Sequence, residues 1–179
     1  MINLVIAYSQ QRQNKCKMGD AETDHMYTIA RILYNILSQD TRINTYIIQK
    51  LDTGADLANL RESVRLSNSF IKAYGGKGYH LELHSDAGAY AKGASGLYYS
   101  ESGRLFLEPI MKELMDLTPW PDVGLRQRRD LLALKGTVAT AGIIEVSFHD
   151  NLEEAKFIHE NAVPIAVRLA NGLYKSIKI

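Results

Sequence analysis

The chain has 179 residues, 46% of them apolar and 23% charged, with a formal net charge of +1. This composition is that of a globular chain able to bury a sizeable core, and it offers no global electrostatic argument for a nucleic-acid partner. The single cysteine, Cys16, excludes an intramolecular disulfide and a multi-cysteine zinc site, and no stretch approaches the roughly 20 apolar residues of a membrane-spanning helix.

Ile2 to Tyr8 is rich in β-branched residues and predicts a buried strand. The start of the chain lacks the charged n-region of a signal peptide. It is therefore expected to be made in the cytoplasm; a target outside the cell would need release by lysis or delivery within a longer chain. Ser9 to Met18 is polar, without periodicity, and predicts a loop. A helix is expected from Asp20, with Asp20 and Glu22 suiting its dipole and Met26, Ile29, Ala30, Leu33 and Leu37 forming its buried stripe.

Ile43 to Ile48 reads as a second strand. A turn at Thr53 to Asp56 leads into a second helix, stopped by the glycines between Gly75 and Gly78. Tyr79 to Leu83 is the next buried strand, ending on His84. Gly96 to Tyr99 reads as a short strand, and Ser102 can cap a third helix that ends at Thr118 to Pro121. Asp122 to Asp130 is expected to be a charged loop and Leu131 to Leu134 a brief strand. Gly142 to Phe148 is the last strand. Asn151 caps a helix, and Pro164 marks either a break or the first turn of an amphipathic tail helix over Ile165 to Ile177. Strands alternating with helices, with no repeat or linker, predict one α/β domain over residues 1–179. Its sheet is expected to be single, mixed and mostly parallel, flanked by helices on both faces.

Of the five histidines, none forms a His-Glu-x-x-His pair, so any metal site must be assembled from distant segments. Strand ends supply the parts. Gln10, Gln11 and Asn14 follow the first strand and run into Glu22. His84 ends the third strand. Glu145 lies within an apolar strand. Burying a carboxylate there costs several kcal/mol unless it is paired, bound to a metal or protonated as an acid/base. Glu82, flanked by leucines, reads as structural. His84 alone is equally a hydrogen-bonded core histidine, Glu22 a solvated first-turn carboxylate, and Cys16 an incidental thiol or a nucleophile.

Taken in order, these pieces resemble the third family of zinc-dependent N-acetylmuramoyl-L-alanine amidases, over nearly the whole chain. The resemblance is carried by Leu83-His84-Ser85-Asp86-Ala87, by Gly96 to Tyr99, by Leu131 to Thr137 and by Ile143-Ile144-Glu145-Val146-Ser147-Phe148. It implies a zinc ion held by Glu22 and His84, with Glu145 as catalytic acid/base, acting on bacterial peptidoglycan. The chain departs from the usual pattern where Gly-His-Gly follows the first strand. It reads Ser9-Gln10-Gln11, similar to a subgroup whose motif matches Ser9, Gln11 and Asn14. Strand register points to Gln10 as the replacement ligand and the subgroup motif to Gln11; His25 or a water is the other option. Because an amide oxygen is a weaker zinc ligand than imidazole, the resemblance also leaves room for a weak or inactive wall-binding relative. A Cys16-dependent hydrolase is a third possibility. The segments 88–95 and 121–129 are expected to wall a cleft wide enough for a glycan with its peptide.

Overall fold

The computed structural model describes residues 1–88, 92–121 and 123–178. Parts of the two expected cleft walls, at 89–91 and 122, therefore lie outside the described residues. The elements run β1 (Ile2–Tyr8), α1 (Glu22–Leu37), β2 (Ile43–Ile47), α2 (Asp56–Tyr74), β3 (Gly78–Asp86), β4 (Ser95–Tyr98), α3 (Glu101–Met115), β5 (Gly124–Gln127), α4 (Leu132–Lys135), β6 (Thr140–Phe148), α5 (Leu152–Glu160) and α6 (Ala162–Ile177). The strands form one sheet in the order β2-β1-β3-β6-β4-β5. All neighbours are parallel except β4 and β6, which run antiparallel. The α/β class and the mixed, mostly parallel sheet are those expected.

Strand alternation divides the core between the two faces of the sheet. Leu4, Ile6 and Tyr8 of β1 and Tyr79, Leu81 and Leu83 of β3 point to one face. There they join the apolar stripes of α1, α3 and α6 in the main core. On the other face, Val5 and Ala7 pack with Ile71 of α2, while Ala141 and Ile143 of β6 pack with Ala133 and Leu134 of α4. Between these two smaller clusters β3 presents His80, Glu82 and His84 instead of apolar side chains. The polar ladder sits where a continuous hydrophobic layer would otherwise run.

The chain passes from β1 to β2 on one side, then returns to place β3 on the other side of β1. Loops leaving the C-terminal ends of β1 and β3 therefore diverge. In open α/β sheets this reversal opens the crevice where ligands bind. The loop carrying Gln10 to Asn14 and the strand end carrying His84 both lie here.

Several local expectations change. Leu131 to Leu134 is not a strand: Leu132–Lys135 forms a single helical turn, with Ala133 and Leu134 buried against β6. A four-residue apolar run cannot separate the two states by periodicity, and packing decides. Gly124–Gln127, expected as loop, is the edge strand β5; an edge needs only one paired neighbour, here β4, and tolerates exposed Arg126 and Gln127. Helix α1 starts at Glu22, two residues after the expected Asp20, because a bridge between Lys15 and Ala21 keeps Asp20 in the preceding loop. Ser100 caps α3 in place of Ser102, its Oγ accepting the Gly103 N–H at 3.2 Å. Asn161 separates α5 from α6, and Pro164 falls in the first turn of α6, where its missing N–H costs no hydrogen bond.

Candidate active site

Register brings the two most suggestive residues together. In the parallel β3–β6 pair, His84 stands opposite Glu145. Both follow from alternation onto the face of the polar ladder. Glu22, in the first turn of α1, reaches over the end of β3, and its Oε1 lies 3.1 Å from His84 Nδ1. The same oxygen accepts the Ser85 backbone N–H at 3.1 Å, and its Oε2 accepts from Asn14 Nδ2 at 2.9 Å. Glu22 is buried, with 1% of its side chain exposed. Burial alone would push its carboxyl up; the bonds to His84, Asn14 and Ser85 overcome this and hold it below the usual range.

The far side of His84 meets Glu82, with Nε2 2.9 Å from Oε1. The other oxygen of Glu82 is 3.3 Å from His80 Nε2, and His80 Nδ1 is 3.0 Å from Ser67 Oγ on α2. A polar line thus runs from α2 through His80, Glu82 and His84 to Glu22. Burial works against the charge on Glu82, but its two imidazole neighbours bring the carboxyl down to about 2. Burial likewise disfavours the His84 imidazolium, yet Glu22 and Glu82, with Glu145 behind them, raise its pKa well above the ordinary value.

Glu145 is in the opposite condition. Its Oε2 has no hydrogen-bond partner among the described residues, and burial pushes its carboxyl up to about 7; the nearby His84 pulls it down, while Asp86, Glu22 and Glu82 add to the rise. A half-buried carboxyl poised near neutrality beside an imidazole is suited to taking and giving a proton.

The glutamines separate. Gln10 is buried, and its Oε1 accepts the Leu51 backbone N–H at 3.0 Å. Gln11 is exposed, and its Oε1 accepts from Asn14 Nδ2 at 2.6 Å, the same amide that bonds Glu22. Its oxygen therefore comes to the Glu22 side of the site, and a turn of the Asn14 amide frees it. His25 does not come to His84. Its Nδ1 is 3.1 Å from Asp20 and its Nε2 2.9 Å from Ser85 Oγ, on the opposite face of the sheet. Cys16 is buried, and burial raises its thiol above the ordinary value, which disfavours the thiolate a nucleophile needs.

Gln10, Gln11, Glu82 and His84 line one side of a cavity of about 190 Å³; Leu57 and Leu60 of α2, Leu131, Leu132 and Ile143 line the apolar remainder. The chemistry of this donor set admits a divalent cation in part. Glu22 and His84 supply a carboxylate and an imidazole already converging, and Gln11 supplies an amide oxygen within the same network.

The family profile described as N-acetylmuramoyl-L-alanine amidase (Amidase_3) matches residues 4–178. The chain belongs to this amidase family. Solved structures agree in fold. N-acetylmuramoyl-L-alanine amidase AmiC2 of Nostoc punctiforme superposes with a TM-score of 0.81 at 15% identity, covering 100% of this chain and 98% of its own. The catalytic domain of the amidase CwlV from Bacillus (Paenibacillus) polymyxa gives 0.80 at 16% identity, covering 100% and 99%. The catalytic domain of an endolysin targeting Clostridia difficile gives 0.76 at 21% identity, covering 97% and 96%. No curated protein sequence matches the chain.

Within this amidase fold, Glu82 is the structural partner of His80 and His84, in keeping with its expected role, and the ladder adds His80 and Ser67, to which the residue pattern had assigned none. The alternation His80-Leu-Glu82-Leu-His84 carried the signal: three polar residues at period two share one face of a strand whose other face is apolar. A carboxylate in the middle of such a ladder has two partners by geometry alone.

Proposed function

We propose that this chain hydrolyses the amide bond between N-acetylmuramic acid and the L-alanine of the peptidoglycan stem peptide, as a zinc-dependent amidase acting at the bacterial cell wall. Residues 1–179 serve as one catalytic domain. Glu22 and His84 would hold the ion, with the amide oxygen of Gln11 as third ligand; Gln10 is the poorer candidate because its oxygen already accepts from Leu51. Bound there, zinc would supply a Lewis acid and a water whose pKa is lowered toward ~7.

The chain's own residues carry the rest. Glu145 takes the proton of the attacking water and delivers it to the departing L-alanine nitrogen. Its raised pKa lets it do both near neutral pH. Glu82 fixes the His84 ring from behind through Nε2, leaving Nδ1 toward Glu22. The leucines of α2 and α4 give the cavity an apolar wall suited to the lactyl and alanyl methyl groups. The observation that carries the reading is the pairing of His84 with Glu145 across β3 and β6, with Glu22 closing on His84 Nδ1.

A second reading is favoured by the glutamines. With one imidazole and an amide already engaged by Asn14, the site resembles a weakened metal centre, as in a wall-binding relative with little or no turnover. Purified walls separate the two. The active enzyme carries zinc, lowers wall turbidity and releases new N-terminal alanine, and Glu145→Ala abolishes the release while zinc remains. Binding to walls without release of alanine at any zinc concentration would establish the inactive relative.

A further inference from the structure

The loop between β1 and α1 does more than carry the glutamines. It folds back on itself through the Lys15–Ala21 bridge, with Cys16 N–H donating to the Asp20 carbonyl at 2.9 Å and Gly19 N–H to the Cys16 carbonyl at 2.9 Å. Gly19 takes φ +98°, a conformation that favours glycine, so the chain can turn tightly between the two. The closed loop sets the Cys16 thiol beside the Asp20 carboxylate. His25, one turn into α1, and His159, at the end of α5, complete a group. The sulfur, a carboxylate oxygen and a nitrogen from each imidazole all lie within 4.8 Å of one another. Asp20 is 3.1 Å from His25 Nδ1 and 3.2 Å from His159 Nε2.

We propose that Cys16, Asp20, His25 and His159 form a four-ligand zinc site, separate from the Glu22–His84 centre, that staples the β1–α1 loop to α5. The donor set is one sulfur, two nitrogens and one oxygen, a mixture suited to a borderline cation with four protein ligands. A tetrahedron with zinc-ligand bonds has edges of roughly 3.3–3.8 Å, so the observed spacings need only small side-chain movements to close on an ion. His25 is already oriented from behind. Its Nε2 is 2.9 Å from Ser85 Oγ, which is in turn 2.9 Å from His149 Nδ1, and this directs Nδ1 into the cluster. Ser85 alternates with His84 along β3, so the two centres lie on opposite faces of the sheet. A cavity of about 160 Å³ lined by Asp20, His25 and His159 gives the ion a way in.

The cluster has a structural use. The segment it closes carries Gln11 and Asn14 on one side and Glu22 on the other. Fixing it to α5 holds those residues over the end of β3. The metal assignment rests on the donor set and its geometry and stands whether or not the Glu22–His84 centre is an amidase site.

Cobalt(II) titration of the metal-stripped full chain tests it, because only this site contains sulfur. Expected is a thiolate-to-cobalt charge-transfer band in the near ultraviolet, saturating at one equivalent of the sulfur-bound ion. His84→Ala retains the band. His159→Ala, a change at a partly exposed side chain that folding tolerates, weakens cobalt affinity at least tenfold, and Cys16→Ser abolishes the band. No band at saturating cobalt in the parent overturns the site, and so does a band whose affinity is unchanged in His159→Ala. Failure of wall hydrolysis alongside an intact band would count against the amidase reading and leave this site standing.

Discussion

At the scale of single residues, the informative contrast is between Glu82 and Glu145, two carboxylates on one face of neighbouring strands. Glu82 lies between two imidazoles and is brought down to about 2 despite burial; Glu145 has an oxygen without a hydrogen-bond partner among the described residues and is pushed up to about 7. The sign of the second shift sets a stability prediction for the chelated protein. A carboxyl whose folded pKa is raised favours the neutral form, so its contribution is present below the unfolded value of 4.5 and is lost as pH rises through about 7. Glu145→Gln should therefore leave stability unchanged at pH 4 and raise it by about 1–3 kcal/mol at pH 8, read by urea unfolding at both pH values. Equal stability of the two proteins at pH 8 would mean that the Glu145 charge is not desolvated. In the zinc-loaded protein the same change should cost ~10²–10⁴-fold in rate, the usual contribution of a general acid/base. Stabilisation coupled to lost activity is a signature that a purely structural carboxylate does not give.

At the scale of elements, the second face of the sheet explains why the site can exist at all. Helices α1, α3 and α6 cover the other face with a continuous apolar core, and α3 and α6 approach closely enough that Gly172 sits against backbone. A Cβ at Gly172 would lie 2.4 Å from Ile110 Cα and 3.0 Å from the Pro109 carbonyl oxygen. Alanine is the better helix former by about 1 kcal/mol, yet here backbone cannot yield as a side-chain tip would. Gly172→Ala should therefore destabilise the fold by about 1–3 kcal/mol, and thermal unfolding checks it. An unchanged or higher Tm would show that α6 shifts freely on α3. With the larger apolar core on that face, the opposite layer is interrupted by His80, Glu82 and His84 and by the cavity beside α2 and α4. The elements themselves were mostly legible. Long apolar strands and periodic helices announce themselves, whereas the four-residue stretches Gly124–Gln127 and Leu132–Lys135 do not, because their state depends on the neighbour they pack against.

At the scale of the whole molecule, the candidate ligands come from segments that meet only on folding: the loop after β1, the start of α1 and the end of β3. An ion held there binds the native chain and not the unfolded one, so free zinc should raise Tm. At a hundredfold excess over Kd the gain is about 2.7 kcal/mol per site, lost on adding chelator and reduced in His84→Ala. A Tm indifferent to zinc and chelator alike would argue that the native chain holds no zinc. The same convergence explains the boundary between what residue order reveals and what it hides. Sequence by itself determined the α/β class and the buried strands and drew attention to Glu145, because hydrophobic periodicity is local and a charged residue inside an apolar run stands out against it; His84 and Glu22 stand out only through the family resemblance of the ordered motifs. Only the tertiary structure decided that His84 stands opposite Glu145, that Gln10 is spent on Leu51 while Gln11 reaches Asn14, and that His25 joins Cys16, Asp20 and His159 on the far face. Those outcomes depend on strand register and on the direction of each crossover. These are set by packing between segments far apart in the chain, and no local pattern records them.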